Sequence, residues 1–174
     1  MRATARPQDL FAAESDVAAL VYARGDDPDA LLGSFATNLV ARGYDPVGLL
    51  QRRRGGRFDY LLMPGTNAVA ALSAAAPSLL AAVRRRPDLL IVNRFGSAEL
   101  SGGGLLGVLV EAVRLDVPVL IAVPRALFTD WLAFSGGLTI RLDCTHAGLE
   151  RWWASLSKPP QLESRSPTVC EQLK

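Results

Sequence analysis

Apolar and polar positions along this chain alternate in blocks that predict strands and helices in turn. Short apolar runs predict strands at residues 18–23, 47–51, 58–63, 88–92, 119–123 and 139–142. Apolar positions at helical spacing predict helices at residues 29–42, 68–85, 105–115, 128–134 and 147–156. Pro77 is expected to break the second helix in two. Gly55-Gly56 is typical of a turn joining two antiparallel strands.

The central strands indicate the fold class. The runs LLIV and VLIAV are apolar throughout, as in parallel strands covered by helices on both faces. Together with the alternation of strands and helices, they predict an α/β fold: a three-layer, doubly wound, mostly parallel sheet with a β-hairpin at about residues 47–63. We expect one domain at residues 16–156, a flexible leader at 1–15 and a disordered tail at 157–174.

Composition narrows the function classes. The chain has 174 residues, 49% of them hydrophobic and 21% charged, and a net charge of +2, which favours neither nucleic-acid nor membrane binding. Cys144, Cys170 and His146 have no metal-ligand spacing, so a structural zinc site is not expected. No apolar segment has the length of a signal peptide or a membrane span, which predicts a cytoplasmic protein.

Arginine is the conspicuous charged residue: the chain has 17 Arg and 2 Lys. A GC-rich genome is one explanation of that bias. However, an arginine follows four of the predicted strands within two residues, and ligands of doubly wound sheets bind beyond the carboxyl ends of the strands. If these guanidinium groups converge, they form an oxyanion site; the alternative is that each extends separately into solvent. The predicted ligand-binding residues are Arg24, Gly25, Arg52, Asn93, Arg94, Gly96 and Arg125.

A phosphate loop should lie between the first strand and the first helix, where the sequence is RGDDPDALLG. That segment lacks the lysine that reaches the β- and γ-phosphates. Its aspartates would repel a polyphosphate unless a metal ion lay between them. Asp26, Asp27 and Glu99 are the remaining carboxylates that could hold such a metal. The glycines at 102–104 have the wrong spacing for a dinucleotide loop and predict a flexible connection.

Two segments resemble a known family of enzymes. The stretch ALLGSFATNLVARGYDPVGLLQRRRGGRFDYLLMPG is similar to the first helix, second strand and R-x-G-G-x-R hairpin of the small nucleoside-triphosphatases of the cancer-related and thermophile type. The segment VNRFGSAEL resembles that family's I-D-E-I-G-K-M-E-L strand end. This resemblance implies a P-loop-NTPase-like, Rossmann-like fold. Asn93 and Arg94 stand in place of its two hydrolytic acids, and Pro28 and Asp29 in place of its phosphate-loop Lys and Thr.

The chain also resembles a bacterial family of unknown function over about residues 18–153. The shared pattern is D-L-L-I-V-N-[KR]-F-G-x-x-E, then P-V-L-x-x-V, then F-x-x-[FW]-x-x-F-x-G-G. Genes of that family often lie near molybdate-uptake genes. The resemblance therefore implies a degenerate nucleotide-binding domain with a link to molybdenum.

Three functions fit these observations. The first is a non-hydrolytic domain that binds a small anionic ligand, either a nucleotide phosphate or a molybdate-like oxyanion. The second is a divergent nucleoside-triphosphatase, so that enzymatic activity stays open. The third is a protein-interaction module with a vestigial site, in which one of the adjacent Trp152 and Trp153 faces away from the core. The sequence specifies neither a cofactor nor an oligomeric state.

Overall fold

The computed structural model describes residues 16–54, 57–63, 68–69 and 72–156. The strands are β1 (Val17–Tyr22), β2 (Pro46–Arg54), β3 (Arg57–Met63), β4 (Ala68–Val69), β5 (Leu89–Asn93), β6 (Val119–Pro124) and β7 (Ile140–Asp143). The helices are α1 (Pro28–Ala41), α2 (Leu72–Val83), α3 (Ser97–Leu100), α4 (Leu106–Arg114), α5 (Phe128–Phe134) and α6 (His146–Ser155). The predicted leader, the hairpin turn and the predicted tail lie outside the described residues.

The strands form one sheet of order β4-β3-β2-β5-β6-β1-β7. The pairs β2–β5, β5–β6, β6–β1 and β1–β7 are parallel, whereas β2–β3 and β3–β4 are antiparallel. The α/β fold and the hairpin are therefore confirmed. No helix within the described part of the chain is long and apolar enough to cross a bilayer.

Two apolar layers cover the two faces of the sheet. On one face, Leu79 of α2, Leu109 of α4 and Trp131 of α5 pack on alternate residues of the central strands. On the other face, α1 and α6 contribute Phe35, Leu149 and other apolar residues. β5 is buried at all five positions because helices cover it from both sides. This is the predicted three-layer arrangement.

Two local predictions are wrong. α2 runs through Pro77 without a break, because a proline removes one helical hydrogen bond while the buried residues Ala75, Leu79 and Val83 still hold this helix on the sheet. Ala68–Val69, predicted as the start of that helix, is instead a strand that pairs with Tyr60 and Leu61.

Candidate functional site

A cavity of about 420 Å³ opens at the carboxyl edge of the parallel strands. β5 ends there at Asn93, β6 at Pro124 and β1 at Tyr22, and these three strands are neighbours in the sheet. The chain beyond β5 is fixed by Phe95, which is buried against the rings of Trp131 and Phe134. The lining residues include Tyr22, Gln51, Tyr60, Asn93, Arg94, Gly96, Ser97 and Leu127.

Asn93 lies in the wall of this cavity with an unsatisfied side chain. It is only 2% exposed, and neither its Nδ2 nor its Oδ1 has a hydrogen-bond partner among the described residues. The peptide bond between Asn93 and Arg94 is cis. Buried amide groups in native proteins are almost always paired, with protein atoms, ordered water or a bound molecule. An amide with both atoms unpaired therefore indicates a place where another molecule is held.

Arg94 does not stand free. Its guanidinium donates to Asp29 at 3.1 Å between Nη2 and Oδ2, and it lies over the Tyr22 ring with 5.5 Å to the ring centroid. Its ion-pair partner is thus Asp29, a residue of the first turn of α1. Arg94 Nε and Asp29 Oδ1 are nevertheless buried without a partner in the described part of the chain.

The charge of Arg94 offsets only part of the desolvation of Asp29 in this ion pair. Burial raises the pKa of the Asp29 carboxyl, and the nearby Arg94 charge opposes this rise without cancelling it. Burial likewise raises the pKa of Tyr22, again against the effect of Arg94. These directions indicate that the Asp29 carboxylate is poorly solvated.

A second cavity, of about 470 Å³, adjoins the first and shares Gln51 with it. Its polar lining includes Asp27, Asp29 and Ser34. Asp27 caps α1, because its Oδ1 accepts from the Ala30 N–H at 3.0 Å. The helix end at which a phosphate loop would hold an anion is thus occupied by a carboxylate of the chain itself.

The strand-end arginines whose side chains are described, Arg24, Arg94 and Arg125, do not form a cluster. Arg24 and Arg125 are exposed and line neither cavity. Gly25, next to Arg24, is an exposed turn residue with φ of 105°. The side chain of Arg52 lies outside the described residues, although its backbone pairs with Asp59 in the hairpin. Of the four, Arg94 alone is seen in the cavity wall.

The three carboxylates proposed for a residual metal have other contacts. Glu99 is 3% exposed, and its two oxygens accept from the backbone N–H groups of Gly96 and Leu105, each at 3.0 Å. Asp26 accepts from the Ala23 N–H at 2.7 Å. Within the described residues no group of three or more His, Cys, Asp or Glu side chains could hold a metal ion. Glu99 therefore acts as a clamp on the loop after β5.

Sequence reasoning selected Asn93, Arg94 and Gly96 for this edge of the sheet, but among others it missed Tyr22 and Gln51, which line the same cavity, and Asp29, which lines the second. Tyr22 and Gln51 are the last or near-last residues of predicted strands, so their position at the edge was available as a signal. Asp29 was treated only as a repulsive charge, because no sequence pattern reveals its pairing with a residue 65 positions away.

The prediction that one of the two adjacent tryptophans faces away from the core is wrong. Trp152 and Trp153 are 3% and 4% exposed, so neither faces away from the core. Trp153 packs edge-on against Phe35 and Tyr44, with ring centroids 6.5 and 5.1 Å apart. Trp131 and Phe134 are also buried.

Comparison with known proteins gives two matches. Residues 67–152 match the profile of a family described as "Protein of unknown function (DUF2478)". The chain is also 32% identical, over 178 aligned residues, to a protein of Bradyrhizobium diazoefficiens named "Molybdenum import ATP-binding protein ModC 2". That alignment covers 88% of this chain but only 20% of the relative, so the chain spans about a fifth of the relative's length. No solved structure gives a significant match. The chain is thus similar both to a family of unknown function and to part of an import ATP-binding protein.

Proposed function

We propose that this chain is a non-hydrolytic ligand-binding domain whose small anionic ligand occupies the cavity at the carboxyl ends of β1, β5 and β6. The observation that carries the proposal is the Asn93 amide, which is buried in the cavity wall with neither polar atom paired to any described residue. Leaving such a group unsatisfied costs about 1–3 kcal/mol. A ligand that satisfies it recovers that free energy on binding.

The unpaired atoms favour one class of ligand. Asn93 Nδ2 and Arg94 Nε are donors, whereas Asn93 Oδ1 and Asp29 Oδ1 are acceptors. A tetrahedral metal oxyanion such as molybdate offers acceptors only, so it leaves Asn93 Oδ1 of this cavity unsatisfied, as well as Asp29 Oδ1, which lines the adjoining cavity. A nucleotide offers phosphate oxygens to the donors, and hydroxyl or amino groups to the acceptors. Of the two oxyanions considered from sequence, the nucleotide phosphate is therefore the better fit.

Hydrolysis is not part of this proposal. Phosphoryl transfer needs a metal ion and a cation on the terminal phosphates, and a group that orients the nucleophile. The first turn of α1 has Asp27, Pro28 and Asp29 in place of a lysine and a threonine or serine. Glu99, the acid nearest the end of β5, already accepts two backbone hydrogen bonds. Because these catalytic groups are missing or already engaged, a divergent nucleoside-triphosphatase ranks second among the candidate functions.

The relative's printed name supports a connection with molybdenum import. We place the proposed domain in the cytoplasm, as an accessory that binds a nucleotide and reports its presence to a protein of that system. The segment of this chain between β1 and α1 lacks the lysine of a phosphate loop. An accessory role therefore suits the chain better than the ATPase role itself.

A thermal-shift panel tests the proposal. Adenosine and guanosine mono-, di- and triphosphates, inorganic phosphate, sulfate, molybdate and tungstate are each added to the full chain. A ligand that prefers the native state raises the melting temperature by mass action. We expect a rise with at least one nucleotide in the wild type and in the control Arg24→Ala, and a loss of that rise in Arg94→Ala. A response to molybdate without any nucleotide response, or a response kept in Arg94→Ala, contradicts the proposal.

A further inference from the structure

The strand β7 ends the sheet. Within the described residues it pairs only with β1, on one side, so the backbone N–H and C=O groups of its outer edge face away from the sheet. An open edge of this kind is a template for another strand. Ile140, at the start of this strand, is 48% exposed.

The two faces of β7 differ in chemistry. Ile140 and Leu142 lie on the face that contributes to the apolar layer of α1 and α6, where Leu142 is 8% exposed. Arg141 and Asp143 lie on the opposite face and are both exposed. Arg141 is held over the Phe128 ring with 5.4 Å to the ring centroid, which fixes its position on that face.

The side chains of β7 are complementary to those of a second, antiparallel β7. If two β7 strands pair antiparallel about a twofold axis through Leu142, Arg141 of each copy lies opposite Asp143 of the other. On the other face of the strand, Leu142 of one copy then lies opposite Leu142 of the other. Opposite residues of paired strands have Cβ atoms about 4.5–5.5 Å apart, close enough for both contacts. The same register thus matches charge with charge on one face and apolar with apolar on the other.

The groove beside β7 contains a polar atom that lacks a partner. This groove, of about 370 Å³, runs between β7 and α6, and Trp152 lies in its wall. Trp152 is 3% exposed, and its Nε1 is buried without a hydrogen-bond acceptor among the described residues. An added strand brings backbone carbonyls to this edge, and a carbonyl is the acceptor that an indole N–H lacks.

We infer that a second copy of this chain pairs with β7 in this antiparallel register, which joins two seven-stranded sheets into one continuous sheet. The inference does not depend on the ligand site, which lies at the carboxyl ends of β1, β5 and β6. Because β7 has only four residues, the contact is small, and the dimer dissociates on dilution.

Charge reversal tests the pairing. In sedimentation velocity over a wide range of concentrations, the wild type is expected to form a dimer as concentration rises. Arg141→Asp or Asp143→Arg places like charges opposite each other twice in each dimer and weakens it roughly tenfold. The double variant restores both opposite-charge pairs and the affinity. Arg85→Asp, at an exposed position of a distant turn, is the control and leaves the affinity unchanged.

Cross-linking tests the register. In a background with Cys144→Ser and Cys170→Ser, Arg141→Cys and Asp143→Cys are prepared separately. Only a mixture of the two places thiols at directly opposite positions, within disulfide reach, so the mixture is expected to cross-link several times faster than either variant alone. Melting temperatures confirm that each variant is folded. A wild type that stays monomeric at every concentration overturns the inference. So does a double variant as weak as the single ones, or a mixture that cross-links no faster.

Discussion

Replacing Asn93 with leucine is expected to stabilise the protein in the absence of ligand. The amide is 2% exposed, and neither polar atom has a partner in the described part of the chain. A buried amide without a compensating hydrogen bond costs about 1–3 kcal/mol. Leucine has nearly the same shape and carries no such cost, so the free energy of unfolding should rise by about that amount. For a chain of this size the melting temperature rises by roughly 2–12 °C.

Urea unfolding followed by tryptophan fluorescence measures this gain. The control is Asn38→Leu, which changes the same residue type at an exposed position of α1 and should alter stability by less than about 0.5 kcal/mol. If Asn93→Leu instead destabilises the protein by more than about 1 kcal/mol, the amide is well paired in the ligand-free protein. A ligand would then gain no free energy by pairing with this amide, which contradicts the proposed site.

Three further outcomes are expected. In a phosphate-release assay, the protein hydrolyses ATP and GTP no faster than a blank; magnesium-dependent turnover that Glu99→Ala abolishes would support a nucleoside-triphosphatase instead. Gly104→Ala destabilises the protein by more than Gly102→Ala: both glycines have positive φ, but a Cβ at position 104 would collide with the Glu99 carboxylate, whereas one at 102 meets nothing. Thermal unfolding should show the difference, and equal losses would refute the clamp. Because the pKa of Asp29 is raised above the ordinary 3.8, the folded protein holds this proton more tightly than the unfolded chain. This contribution to stability is therefore present at low pH and falls as pH rises above about 3.8. In urea unfolding from pH 3 to 7, Asp29→Asn should lack that decline, and an unchanged pH profile would count against it.

The fold was predictable because its signals are local. The apolar runs of β5 and β6 are buried at nearly every position, and continuous apolar character is the mark of a strand covered on both faces. β4 and α3 were missed, since they have two and four residues and periodicity cannot be recognised over such lengths. The break predicted at Pro77 is absent, because the packing of the helix outweighs the low helix propensity of one residue.

The site was predictable only in part. Parallel strands share a carboxyl edge, so Asn93 and Arg94 could be placed there from sequence alone. The direction of each side chain could not. Arg94 turns to Asp29, while Arg24 and Arg125 are exposed and line neither cavity. Trp152 and Trp153 are both buried because α6 contacts β7 and α1 on different sides, which its own periodicity does not reveal.

The most direct test of the proposed ligand site observes the Asn93 side chain itself. In ¹H–¹⁵N correlation spectra its NH₂ pair is identified as the signal lost in Asn93→Leu. When the nucleotide that scores in the thermal-shift panel is added, we predict that this pair shifts, together with the backbone signals of Arg94 and Gly96. Signals of the exposed Arg24 and Arg125 should move less. If the Asn93 NH₂ pair stays in place at saturating ligand while other regions respond, the ligand does not occupy this cavity and the account is contradicted.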